Sequence, residues 1–398
     1  MADLRRQKRN NISIALIDAS PLSVADDDDD AVRGVSQYDP RVVALTQQSQ
    51  RLLDDAGIWS GLPEARLSPY HHMHVWDANG TSAIDFDAAL VHQKNIGHIV
   101  ENAQVVKAIE AQLAGEAGCQ WFRPVSLEQL EVCEQAAKLK LSSGDVIHAG
   151  LVIAADGAHS PIRQQLGVAT REWDYLHQAI VTTVEVERSH QNTAWQVFLD
   201  SGPLAFLPLA SQPSNEIDVE DGPDRHFCSI VWSCIPERAQ ALMALDDAEF
   251  KVQLERAFEA KLGKVLAVDQ RFSIPLRQRH AVNYVSERVA LVGDAAHTIH
   301  PLAGQGVNLG LKDVSALVAE LSRAQARGLP LWHTSVLARY QRQRKGDNLQ
   351  TMLAMEALER LYDCGNIMVR WLRNEGVKQV QKQPLLKRKI IEQAMGLG

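Results

Sequence analysis

The segment that most constrains this 398-residue chain is Gly293-Asp-Ala-Ala-His-Thr-Ile-His-Pro-Leu-Ala-Gly-Gln-Gly-Val-Asn-Leu-Gly310, which follows the apolar stretch Val289-Ala-Leu-Val292. A short apolar run bounded by turn residues reads as a buried strand of a parallel sheet. At its carboxyl end Gly293 has no Cβ, so a ligand can approach the backbone. Asp294 is then placed to accept a hydroxyl of a ribose or ribitol. Gly304, Gly306 and Gly310 precede or open a helix that continues through Val314–Arg327, and the free amides of such a helix start attract negative charge. The pattern calls for an α/β sheet that binds a ligand at its strand ends.

Two further segments extend this sheet. Leu151-Val-Ile-Ala-Ala-Asp156 reads as a second buried strand, and Ile12-Ser-Ile-Ala-Leu-Ile-Asp18 as a third, each ending in an acid. A strand followed by Asp-Gly is a common turn on its own, but here a whole D-G-x-x-S-x-x-R run follows, as Asp156, Gly157, Ser160 and Arg163. Helical spacing is read at Val42–Trp59 with Gly57 as its stop, at Val105–Leu113, Asp246–Leu262 and Val314–Arg327, and over most of Val336–Val380. Between about 172 and 280 the texture changes, by the period-2 criterion, to short alternating runs such as Ala179–Val186 and Cys228–Trp232. These suggest antiparallel strands in a separate sheet, with the polar, Pro-containing stretch Ser211–Arg225 as a loop between two of them. The order is an α/β domain, a β-rich insertion, the α/β domain again and C-terminal helices.

Composition removes several function classes. Hydrophobic residues at 45% and charged residues at 23% are those of an ordinary soluble globular protein. Cys119, Cys133, Cys228, Cys234 and Cys364 form no C-x-x-C pair, which argues against a zinc site or disulfide scaffold. Asp26 to Asp30 reads as a solvated loop, because five adjacent carboxylates repel one another without ligand spacing. His297 and His300 lack an evident third metal ligand. No apolar run of about 18 residues is present, and basic Met1–Asn11 is not followed by a signal-peptide core. A net charge of −8 makes nucleic acid an unfitting partner. The tail differs: Arg370, Arg373, Lys378, Lys382, Lys387, Arg388 and Lys389 face only Glu375 and Glu392. It is either a solvated helical face or a contact for an anionic membrane or an acidic partner.

The Gly293–Gly310 segment resembles the second FAD motif of the flavoprotein aromatic hydroxylases, and the Asp156–Arg163 run resembles their third motif, linked to FAD and NAD(P)H use. Asp39-Pro-Arg41-Val-Val-Ala-Leu45, Gly97-His-Ile-Val-Glu-Asn102, Trp173-Asp-Tyr175 and Phe206-Leu-Pro-Leu209 narrow the resemblance to the ubiquinone-biosynthesis branch, the 2-polyprenylphenol (VisC-like) hydroxylases. It covers essentially the whole chain from about residue 10 onward. The resemblance implies a Rossmann-like FAD-binding domain over 1–68, 98–171 and 281–335. It implies an inserted mixed β-sheet substrate domain over 69–97 and 172–280, and C-terminal helices over 336–398, as in p-hydroxybenzoate-hydroxylase-like flavoproteins. FAD contacts fall on Asp18, Arg41, Asp156, Gly157, Gly293, Asp294, Pro301, Gly304, Gly306, Val307 and Asn308. His300, Pro301 and Gln305 are the nearest side chains to the reaction. The implied activity is NAD(P)H- and O2-dependent hydroxylation of a polyprenylphenol ring through a flavin C4a-hydroperoxide, in the cytoplasm or peripheral to the inner membrane, alone or within a ubiquinone-biosynthesis complex.

One departure stands out. The fold should open with a strand and G-x-G-x-x-G, whose glycines and helix start hold the pyrophosphate. Here Met1–Asn11 reads as the end of that helix, followed by the second strand, and Asp18 as the acid that takes the adenosine ribose hydroxyl. Since that acid follows the glycines by roughly 20 residues, about 25 residues of the pattern are expected before Met1. Codons upstream should encode them, and without them FAD should bind poorly. Two rivals remain: a flavoprotein dehydrogenase or halogenase of the same fold, the latter lacking its W-x-W-x-I-P here, and a non-catalytic or degenerate member of a biosynthetic complex.

Overall fold

The computed structural model describes residues 12–22, 34–80, 83–116, 118–210, 225–298, 305–363, 374–376 and 379–396. The proposed helix end at Met1–Asn11, the acidic run Asp26–Asp30 and residues 211–224 of the proposed loop lie outside them.

The two strands expected around the glycine loop pair with each other. Val152–Ala154 and Val289–Leu291 run parallel, with Val152 opposite Val289, and Val285–Ser286 adds an antiparallel third strand. Ile14–Ile17 pairs in parallel with Cys119–Phe122, as a separate two-stranded piece. Its apolar sequence reads as a buried strand. Instead Ala15 is exposed, and among the described residues this strand has a partner on one side alone. The two pieces nonetheless share a core. Ile12 and Ile17 pack against a cluster built from Val152, Ala154, Leu291, Leu317, Leu321, Leu337 and Tyr340, where the sheet meets the helices Gln305–Ala326 and Thr334–Asp363.

The helical reading of Val42–Trp59 is corrected. Val42–Thr46 is a strand, and the helix occupies only Gln47–Asp55. Adjacent valines lose χ1 freedom in a helix and suit a pleated sheet. Thr46 then stops the strand and starts the helix, its hydroxyl accepting from Ser49 N. The strand pairs with Gly97–Glu101, which also pairs with Ser68–Tyr70. At Gly97 a Cβ would lie 2.3 Å from Leu45 O and 3.1 Å from the Tyr70 ring, so only glycine fits that crossing.

A nine-stranded sheet forms the rest of the β structure. From one edge its order is His297–Thr298, Phe272–Ala281, Thr170–Val186, His226–Cys234, Gly202–Pro208, Thr193–Leu199, His72–Asp77 and Ala83–Asp87, with Val265–Val268 on the end of Thr170–Val186. Pairing is antiparallel except between Thr193–Leu199 and His72–Asp77. Alternate residues Ile180 and Val184, Leu204 and Phe206, and Ile230 and Trp232 face the helices Pro236–Ala244 and Asp247–Ala257, through Leu242, Phe250, Leu254 and Phe258. Each such large side chain contributes about 1.5–3 kcal/mol relative to exposure. The helix expected over Asp246–Leu262 is shorter: Asp246 caps it, and the chain turns after Ala257 through Glu259 and Ala260 at positive φ.

Beyond Thr334–Asp363 comes the helix Pro384–Ala394; its Ile391 and, one residue past its end, Met395 are buried beside Tyr38, Ala44 and Phe227. No helix among the described residues is long and apolar enough to cross a membrane.

Candidate functional site

Parallel register brings the two acid-bearing loops side by side. Val292 N donates to Ala154 O at 3.0 Å, so the Asp156–Gly157 and Gly293–Asp294 turns leave adjacent strand ends. Gly293 has φ +57°, where an L side chain is strained. A Cβ on Gly310 would come within 3.3 Å of the Gly293 Cα, so the turn and the helix Gln305–Ala326 touch backbone to backbone. Burial pushes the Asp294 carboxyl up, while His297 and then the Arg41 guanidinium oppose it. Arg41 stands just before Val42–Thr46, so that strand delivers a cation to the Asp294 turn from far away in sequence.

The remaining motif residues hold these pieces together. Asn308 is buried: it accepts from Thr46 N at 3.0 Å and Ser49 Oγ at 2.7 Å and donates to Ala44 O at 2.7 Å. Its side chain thus fastens the helix start to the Val42–Thr46 strand. Asp156 accepts from Ile162 N at 3.1 Å, and Ser160 from Arg163 N at 2.9 Å, capping the short helix Pro161–Gln165. Arg163 is buried and donates to Ala158 O at 2.6 Å and Ala295 O at 2.8 Å, bridging the two loops. Burial lowers its guanidinium, as does nearby Arg279, which also donates to Ala158 O.

Asp18 sits at the end of Ile14–Ile17, where it pairs with Arg123 at 3.1 Å and accepts from Ser20 N at 2.8 Å. A ribose hydroxyl would share this carboxylate with Arg123, which its four lone-pair directions allow. His300, Pro301 and Gly304 lie outside the described residues. Gln305 opens the helix, and Gly306 and Val307 follow in its first turn.

Sequence reasoning missed a buried polar group beneath this surface. Asp313 Oδ2 accepts from Gly293 N at 3.0 Å and lies 2.5 Å from His297 Nε2, and its Oδ1 accepts from Arg344 Nε at 2.7 Å. Burial by itself would raise this carboxyl, but the hydrogen bonds and charges of His297 and Arg344 outweigh it and hold it low. One signal was present in the sequence: Asp313 falls four residues from both Leu309 and Leu317, in the middle of the helix's apolar stripe.

Whether the residues fit a dinucleotide cofactor can be tested at the glycines. A Cβ on Gly157 or on Gly306 would meet nothing within 4 Å, so both loops open onto free space. A helix start of this kind suits the negatively charged side of a ligand. A carboxylate able to accept hydroxyls, at Asp294, and a helix start that attracts negative charge are donor types that fit FAD.

Residues 33–346 match the family model described as FAD binding domain. The chain belongs to that family. It is 34% identical over 362 residues to 3-demethoxyubiquinol 3-hydroxylase of Escherichia coli (strain K12), covering 91% of this chain and 88% of the relative. It is 35% identical over 373 residues to ubiquinone hydroxylase UbiL of Rhodospirillum rubrum, covering 94% and 83%. The p-nitrophenol 4-monooxygenase PnpA of Pseudomonas putida DLL-E4 shares the fold, at TM-score 0.74, 18% identity and coverage of 98% and 93%. The chain is therefore an FAD-dependent aromatic monooxygenase of the FAD-binding-domain family. The Gly293 loop of this chain joins the β-rich sheet directly: His297 and Thr298 pair with His280 and Arg279 of Phe272–Ala281.

Proposed function

We propose that this protein hydroxylates the aromatic ring of a polyprenylphenol in ubiquinone biosynthesis, using NAD(P)H and O2. The observation that carries this reading is the continuity of the cofactor loop with the nine-stranded sheet. A chain that leaves the parallel sheet at Gly293 ends at Thr298 as that sheet's edge strand, so a ring bound against the sheet lies next to the cofactor loop. The names of the relatives supply the substrate class.

In this reading Asp294 takes the ribitol, and Arg41 lies beside it as a counter-charge. The Gly306–Val307–Asn308 amides meet the pyrimidine edge, Asp156 and Gly157 border the cofactor, and Asp18 takes the adenosine ribose. When bound, FAD would take two electrons from NAD(P)H and use them to activate O2, one oxygen atom going to the ring and the other leaving as water. The residues of the chain bind, orient and exclude water, and the electron-rich phenol needs no acid or base at the oxygen-transfer step. His300, Pro301 and Gln305 stand nearest the ring in this assignment, and the segments 69–97 and 172–280 form the substrate side. The helix Pro384–Ala394 leaves Leu385 83% and Leu386 42% exposed beside Lys382, Arg388 and Lys389. That supports contact between this basic tail and an anionic membrane that carries the greasy substrate.

The test is turnover of the purified protein with FAD, NADH or NADPH and a polyprenylphenol, following O2 uptake and product mass. A gain of one oxygen atom in the ring is expected. Pyridine-nucleotide oxidation that proceeds with electron acceptors and never hydroxylates the ring would overturn the proposal and leave a dehydrogenase.

A further inference from the structure

Asp313 lies wholly buried between Leu309 and Leu317 on the inner face of the helix Gln305–Ala326. A charge in that position is tolerated only where its acceptor sites are filled. They are. Besides Gly293 N, His297 Nε2 and Arg344 Nε, the carboxylate accepts from Asn348 Nδ2 at 3.3 Å. Arg344, itself buried, spends its other nitrogens on Asp347 at 2.9 Å and Asn348 Oδ1 at 2.6 Å.

The circuit continues beyond this pair. Asn348 Nδ2 also reaches the Tyr284 hydroxyl at 3.2 Å, and that hydroxyl lies 3.0 Å from His280 Nε2. His280 sits on the nine-stranded sheet directly opposite His297. Tyr340, from the same helix as Arg344, donates to Leu291 O at 2.7 Å, on the strand that feeds the loop. Four elements thus meet on one carboxylate: the strand end, the glycine-loop helix, the nine-stranded sheet and the helix Thr334–Asp363. None of these side chains belongs to the two sequence motifs except His297. Asp313 touches the turn only through backbone and a histidine ring, so its action on a ligand runs through the turn.

We infer that Asp313 is a positioning residue that fixes the Gly293–Asp294 turn for FAD, and that Arg344 holds Asp313 in place, making the helix Thr334–Asp363 part of the cofactor site. The inference rests on the assignment of Asp294 to FAD made above. It does not depend on which phenol is hydroxylated.

Two measurements on the full chain test it. The first is amide hydrogen exchange of the peptide spanning Gly293–Thr298 without cofactor. Asp313→Asn and Arg344→Gln should speed that exchange, because the Gly293 amide loses a fixed acceptor, while peptides of the nine-stranded sheet far from His280 keep their protection. The second is FAD affinity by fluorescence titration. Each variant should bind about tenfold more weakly, the lower end for a lost charge-assisted bond. Arg344→Lys, which retains the charge, should recover most of the loss. The double variant Asp294→Ala/Asp313→Asn should bind no more weakly than Asp294→Ala, since a positioning residue has nothing left to position. Additive losses, or unchanged exchange at Gly293–Thr298, overturn the inference. Should Asp313→Asn fail to fold, the Arg344→Gln and Arg344→Lys pair carries the same comparison with Asp313 intact. Loss of the exchange effect with hydroxylation intact rejects this inference alone, whereas failed hydroxylation with the exchange effect intact rejects the substrate proposal alone.

Discussion

Replacing Asp294 separates two quantities that should move in opposite directions. In the protein without cofactor, burial raises the Asp294 carboxyl above its ordinary value, against the pull of His297 and Arg41. A carboxylate with a folded-state pKa above its unfolded one costs stability. That cost is fully present above the folded pKa and disappears as pH falls through it toward the unfolded value. Asp294→Ala or Asp294→Asn should therefore make the cofactor-free protein more stable at neutral pH. FAD binding should respond the other way. A hydroxyl donated to an ionised carboxylate is worth roughly 1.5–3 kcal/mol, about ten- to a hundredfold in Kd. Because that bond favours the ionised form, cofactor binding lowers the carboxyl's pKa and releases a proton. Affinity for FAD should then fall as pH is lowered through the raised pKa of the free protein, and Asp294→Asn should lack that fall. Fluorescence titration across pH, beside urea unfolding of the cofactor-free protein, measures both effects. Native FAD affinity in Asp294→Ala, or an undiminished pH slope in Asp294→Asn, would refute the reasoning.

Other perturbations test the bridge, the loop contact and the tail. Arg163→Met should cost about 1–3 kcal/mol in urea unfolding, the range for one orphaned buried acceptor. It orphans Ala295 O but not Ala158 O, which keeps Arg279; Arg279→Met should cost less, because Arg163 still serves Ala158 O, and equal costs would contradict the bridge. Gly310→Ala gains about 1 kcal/mol of helix propensity yet brings a Cβ within 3.3 Å of Gly293. Stability should change little while FAD affinity drops, and an unaltered affinity would show that the loop contact has slack. Leu385→Ser with Leu386→Ser should abolish flotation with anionic vesicles and leave the melting temperature unchanged, since both side chains are exposed; retained flotation would remove the membrane reading.

Much of the site was legible because its chemistry demands residue types that local patterns reveal. An apolar run ending in Gly293-Asp294, and another ending in Asp156-Gly157, read as buried strands with acids at their ends, and the two do pair in parallel. The alternating runs Ala179–Val186 and Cys228–Trp232 likewise became neighbouring antiparallel strands, because period-2 burial follows directly from the pleat. Val42–Trp59 misled for an equally physical reason. Its apolar spacing is compatible with a helix, and the division at Thr46 depends on Gly97–Glu101 being available as a partner strand. Ile14–Ile17 looked fully buried from its apolarity alone, yet Ala15 faces solvent on a strand with one described partner.

What the amino-acid order determined by itself was the family, the cofactor and the position of the glycine loop, because these rest on short runs in which each residue's backbone freedom or charge is needed in place. What tertiary structure alone decided was who stands behind that loop. Asp313, Arg344, Asn348 and Tyr284 are scattered over two helices and a strand-flanking turn, and no spacing joins them. Their meeting is set by how the helices Gln305–Ala326 and Thr334–Asp363 pack on the parallel sheet. Arg41 is in the same position: its motif was readable, but bringing its charge within reach of Asp294 required two separate sheets to pack. Local sequence encodes backbone geometry and exposure, whereas a buried charge finds its partner only when non-local packing removes water from both and makes each the other's best remaining solvent.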